Sequence, residues 1–87
     1  MDEKKLKLFR DQINALDEEL LVLLNKRAEI ALEIGEAKGD LPVYDPSREG
    51  EILKQIGVLN KGPLSKGSVE DIFASIITAC RQIQIKQ

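Results

Sequence analysis

Arg27 stands inside an apolar stripe, where a charged side chain needs a chemical reason to be. The stripe runs Leu6, Phe9, Ile13, Leu16, Leu20, Leu23, Arg27, Ile30, Ile34 and Ala37 in three- and four-residue steps, the spacing of a helical seam. A guanidinium on such a seam is desolvated unless something anionic meets it, so Arg27 is a candidate anion-binding residue. The competing structural reading is that its side chain reaches past the seam to water, or pairs with a glutamate of a neighbouring helix. Lys38 lies three turns further on, with its Cα about 16 Å away on nearly the same face. Two long side chains at that separation can close on one small anion between them. Lys38 reads equally as a solvated lysine that stabilises the carboxyl end of its helix.

Arg10 precedes Arg27 by about 25 Å along a straight helix, too far for both to grip one small ligand. It joins such a site only from a second chain, as an antiparallel pairing of long helices would allow; taken alone it is a surface arginine. Asp45, Arg48 and Glu49 fall in the first turn of a later helix, close to the apolar position Ile52. They either face the same site or serve as a helix cap and a solvated pair. Gln84 follows Ile77 and Cys80 at helical spacing, which puts an amide on a core-facing line, although a position so near the chain end is also compatible with exposure. Cys80 itself suits a helix core.

The available chemistry is narrow. With no histidine and a single cysteine, a cysteine/histidine zinc site, a histidine-based triad and an internal disulfide are all excluded, and no metal is expected. Fixed charges, hydrogen bonds and carboxylates remain. The net charge is −2 and the charged residues are scattered, which leaves no footprint for nucleic acid or anionic lipid. No apolar run follows the charged start Met1-Asp2-Glu3-Lys4-Lys5, so neither a signal peptide nor a membrane span is expected, and the cytoplasm is the expected compartment.

The elements that position these residues are helices. The chain has 87 residues, enough for one domain over 1–87, with 43% apolar and 32% charged residues and no strand signal. The fold class is all-α. A first helix is expected over about 4–38, where glycine occurs once and proline not at all. At 1.5 Å per residue it would run roughly 50 Å, against a radius of gyration of about 12 Å for a compact chain of this length. Such a helix needs cover from another copy, so a homodimer is expected. A loop over 39–45 leads to Asp45-Pro46, a capping side chain followed by proline at the first helical position, and to a second helix over about 46–60. Gly62-Pro63 stops it. Ser65 or Ser68 then caps a third helix over about 66–86, whose stripe is Val69, Ile72, Phe73, Ile76, Ile77, Cys80, Ile83 and Gln84.

Together these residues resemble a family. The stretch from Leu8 to Leu21 (LFRDQINALDEELL), Asn25-Lys26-Arg27, Ile34-Gly35-Glu36-Ala37-Lys38, Asp45-Pro46-Ser47-Arg48-Glu49, Ile72-Phe73 and Cys80-Arg81-Gln82-Ile83-Gln84 are similar in order and spacing to the all-helical (type II) chorismate mutases. The resemblance covers nearly the whole chain. It implies an intertwined homodimer of three-helix chains and an isomerase that converts chorismate to prephenate, a step of aromatic amino acid biosynthesis in the shikimate pathway, without cofactor or metal. It assigns Arg27 and Arg10 of the other subunit to the substrate carboxylates, Lys38 and Gln84 to the ether oxygen, and Arg48 to added positive charge. Asp45 and Glu49 then face the ring hydroxyl. At Cys80 many relatives carry serine, and a thiol is the weaker donor there.

Two other readings share the same residues. An isochorismate pyruvate lyase would use a similar fold and cationic pocket, whereas a noncatalytic helical dimerisation module would leave Arg27 and Gln84 as accidents of packing. A chain this short leaves no room for a regulatory domain of its own, so control is expected, if anywhere, through a separate shikimate-pathway partner enzyme.

Overall fold

Asp2 starts the first helix by accepting a hydrogen bond from the Lys4 amide at 2.9 Å, which satisfies one of the free N–H groups of the first turn. The computed structural model describes residues 2–84. Within them α1 spans Glu3–Lys38, α2 spans Pro46–Leu59 and α3 spans Lys66–Gln84. Residues 85 and 86, expected at the end of the third helix, lie outside the described residues.

Each helix ends where its local chemistry turns against it. Gly39, at φ +58°, closes α1 with its amide bonded to the Glu36 carbonyl at 3.2 Å, a left-handed conformation that glycine adopts without steric cost. Asp45 caps α2 through a 3.1 Å bond from the Arg48 amide, with Pro46 in the first turn. Asn60 terminates α2 and organises the turn beyond it: its side-chain Nδ2 donates to the Leu64 carbonyl at 2.9 Å and its Oδ1 accepts from the Gly62 amide at 3.1 Å. Of the two candidate serines, Ser65 caps α3, accepting from the Ser68 amide at 3.1 Å, while its own hydroxyl donates to that of Ser68.

The third helix packs against both α1 and α2, whereas α1 and α2 do not pack on each other. The buried apolar residues, Ala31, Val69, Ile77 and Cys80, lie in the second half of α1 and along α3. Gly35 belongs to the same contact. A Cβ there would stand 3.2 Å and 3.3 Å from the Gln84 Cγ and Cβ, so glycine lets α3 approach this closely.

The first half of α1 has no such cover. Every residue from Lys7 to Lys26 is exposed, including Phe9, Ile13, Leu16, Leu20 and Leu23 of the apolar seam, each more than half exposed. The protein measures 57 × 27 × 17 Å with a radius of gyration of 16.6 Å, well above the roughly 12 Å of a compact chain of its length.

Candidate active site

Where α1 leaves its exposed half and meets α3, the three helices and the 39–45 loop enclose a cleft of about 280 Å³. From α1 come Arg27, Ile30, Ala31, Ile34 and Lys38; from the loop and α2 come Val43, Asp45, Arg48, Glu49 and Ile52; and α3 adds Ile77, Cys80, Arg81 and Gln84. Every residue selected from the sequence lines this cleft except Arg10, which is exposed on the uncovered half of α1. The placement follows from helical periodicity, since Arg27, Ile30, Ile34 and Lys38 are spaced to present one face of α1.

Four cationic side chains and two carboxylates line the cleft, and their engagements differ. Arg27 is half-buried and has no carboxylate within ion-pair distance among the described residues. Lys38 directs its Nζ to the Pro42 and Val43 carbonyls, each at 3.3 Å, so the loop holds the ammonium at the wall of the cleft with donor capacity to spare. Gln84 donates from Nε2 to the Ala31 carbonyl at 2.7 Å. That bond fixes the amide, because the Gln84 oxygen would repel a carbonyl; the second N–H of the same nitrogen stays available to a guest.

Arg48 and Glu49 do not pair. The Arg48 guanidinium bonds Glu51 at 3.3 Å on the exposed side of α2, which leaves it at the rim of the cleft. Glu49 instead accepts from Arg81 Nη1 with both oxygens, at 3.0 and 3.3 Å. Asp45 spends one oxygen on its cap. Cys80 is buried in the cleft wall with its thiol free of any disulfide.

Arg81 is the residue that sequence reasoning passed over, although its position carries a signal: it follows Ile77 by one helical turn and precedes Gln84 by nearly one. Its guanidinium carbon stands 4.5 Å from the centroid of the Tyr44 ring, so the arginine contacts an aromatic face as well as the Glu49 carboxylate. Among the described residues no cluster of three acidic or thiol side chains is arranged to hold a metal ion. The cleft offers fixed donors and positive charge around a space the size of a small ring compound, the arrangement that binds an anion and stabilises charge developing within it.

The comparisons with known proteins agree on one family. The model of the chorismate mutase type II family matches residues 9–85. The chain belongs to that family. Chorismate mutases are isomerases that turn chorismate into prephenate. Among curated relatives, the bifunctional chorismate mutase/prephenate dehydratase of Neisseria gonorrhoeae is 44% identical over 75 residues, covering 86% of this chain and 21% of its own length. The bifunctional enzyme of the same name from Aquifex aeolicus is 40% identical over 89 residues, covering 95% of this chain and 25% of its own. The chain thus spans a quarter or less of these relatives.

Solved chorismate mutases of similar size superpose over almost their full length. Form II of the Thermus thermophilus chorismate mutase gives a TM-score of 0.91 at 29% identity, covering 95% of this chain and 97% of that one. The Helicobacter pylori chorismate mutase, solved in complex with prephenate, gives a TM-score of 0.88 at 37% identity, covering 93% and 90% respectively. The three-helix, strand-free fold of the described residues is the chorismate mutase fold.

Proposed function

We propose that residues 1–87 form one chorismate mutase domain that acts as a homodimer and converts chorismate to prephenate in this cleft. The convergence of Arg27, Lys38 and Gln84 on one cavity carries the reading, because it supplies two cations and one oriented neutral donor around a small space. The uncovered apolar half of α1 supports the dimer, and an antiparallel second copy would bring its Arg10 toward the open side of the cleft.

The rearrangement breaks the ether C–O bond and forms a C–C bond within one molecule. No covalent intermediate and no proton transfer is needed, so the protein's task is to bind the reactive diaxial chair and to stabilise the charge that grows on the ether oxygen. Arg27 and Arg10 of the second copy hold the two carboxylates, with Arg48 adding positive charge at the rim. Lys38 and Gln84 donate to the ether oxygen; the donor capacity left over by their carbonyl partners suits that role. Glu49 and Asp45 face the ring hydroxyl, and Cys80 completes the wall. Losing one well-placed donor to the ether oxygen should cost about 10²- to 10³-fold in rate.

Cytoplasmic placement belongs to the same proposal; no described helix is long and apolar enough to cross a membrane. The bifunctional relatives join a chorismate mutase to a prephenate dehydratase, which supports a partner enzyme that consumes prephenate. The test is the disappearance of chorismate and appearance of prephenate with purified protein, run beside a solution mass measurement. Pyruvate release from isochorismate without turnover of chorismate would replace the mutase reading with the lyase one, and a monomeric mass at full activity would remove Arg10 from the site.

A further inference from the structure

We propose that Arg81 is a positioning residue: it restrains Glu49, so that this carboxylate meets the substrate without neutralising the cations that bind it. The inference rests on the mutase reading above. Glu49 is a flexible acid in a cleft that also holds Arg27 and Lys38 from α1 and its own neighbour Arg48 from α2, with Asp45 the other acid. A loose carboxylate in that company pairs with whichever cation is least occupied: neither Arg27 nor Lys38 has a carboxylate partner among the described residues, and Arg27 lacks even the carbonyl partners that hold Lys38. Such a pair would compete directly with a dianionic substrate.

Arg81 prevents this from α3. Its Nη1 reaches both Glu49 oxygens at 3.0 and 3.3 Å, and both side chains are about three-quarters buried, at 29% and 23% exposure, so water screens the pair far less than a surface bridge. The Tyr44 ring supports the guanidinium at 4.5 Å. The three residues come from α3, α2 and the loop between α1 and α2, so the clamp also ties the loop to α3.

A competing carboxylate raises the substrate concentration needed for saturation and leaves the rearrangement of bound substrate largely intact. Arg81→Leu should therefore raise KM for chorismate about tenfold while kcat changes by less than about threefold. Glu49→Gln removes the competitor, so Arg81→Leu should cost far less kcat/KM when added to Glu49→Gln than when added to the parent; a residue acting only through helix packing would cost the same in both. Tyr44→Leu, which loosens the guanidinium without touching a helix, should shift KM in the same direction by a smaller factor and serves if Arg81→Leu folds poorly. Unchanged KM in both Arg81→Leu and Tyr44→Leu, or multiplicative losses in the Arg81→Leu/Glu49→Gln double variant, would overturn the role of Arg81. Inactivity of the unmodified protein toward chorismate would instead strike the mutase reading itself.

Discussion

Gly35→Ala separates the placement of Gln84, the donor proposed for the ether oxygen, from the stability of the fold. A methyl group at position 35 would meet Gln84 Cγ at 3.2 Å and Cβ at 3.3 Å, short of the roughly 3.5 to 4.0 Å at which carbon atoms rest. Something must move by a few tenths of an ångström. Gln84 is the group that must give, since its Cγ and Cβ are the atoms met and Gly35 is held within the hydrogen-bonded helix α1. Overpacking of this kind costs about 1 to 3 kcal/mol, while alanine is about 1 kcal/mol better than glycine inside a helix. The net loss of stability is therefore about 0 to 2 kcal/mol, and the helical dimer should persist.

The site tolerates the same movement less well. Gln84 reaches the Ala31 carbonyl across 2.7 Å, and shifting its backbone lengthens that bond and turns the remaining N–H away from the guest. Since a misplacement of about 1 Å costs on the order of a hundredfold, half of it should cost about tenfold in kcat. The assay is chorismate consumption followed in the ultraviolet, paired with thermal unfolding by circular dichroism. A kcat within twofold of the parent would refute the link between Gly35 and Gln84. Loss of helical signal at room temperature would equally refute the claim that placement and folding separate here.

Three further outcomes follow from the geometry. Lys38→Ala should lower kcat by about 10²- to 10³-fold with unchanged helical content, as judged by turnover and circular dichroism, and near-parental activity would remove Lys38 from the reaction. Gln84→Glu should be active only while the new carboxyl is protonated, since the neutral acid donates an O–H and the carboxylate cannot; activity should rise as pH falls, and a profile parallel to the parent's would dismiss the donor role. Mixing inactive Arg10→Ala chains with inactive Arg27→Ala chains should restore about a quarter of full activity, because half of the pairs are mixed and each mixed pair holds one intact pocket; continued inactivity after verified exchange would show that Arg10 does not act across the dimer.

What was legible in the sequence was local. Asp45-Pro46 announces a helix start because a cap and an N-terminal proline act within one turn, and the stripe through Arg27 and Lys38 is visible because helical periodicity is a property of the chain alone. Gln84 could be placed on a core-facing line for the same reason. The partnerships were less accessible. Arg48 and Glu49 invite pairing as neighbours, but adjacent residues on a helix point apart, and Arg48 turns to Glu51, three positions on. The true partner of Glu49 is Arg81, 32 residues away, and no local signal spans that distance. The need for glycine at 35 likewise appears only once α3 lies against α1.

Ala31, Val69, Ile77 and Cys80 are the buried apolar residues, and no large side chain among the described residues is fully sheltered. Under the proposed pairing, folding and association become a single equilibrium governed by mass action. The melting temperature should climb with total chain concentration, and dilution should lower activity per chain. Substitutions along the Leu16–Leu23 stretch of α1 would then act on catalysis from far outside the cleft, by changing how many chains are assembled at a given concentration.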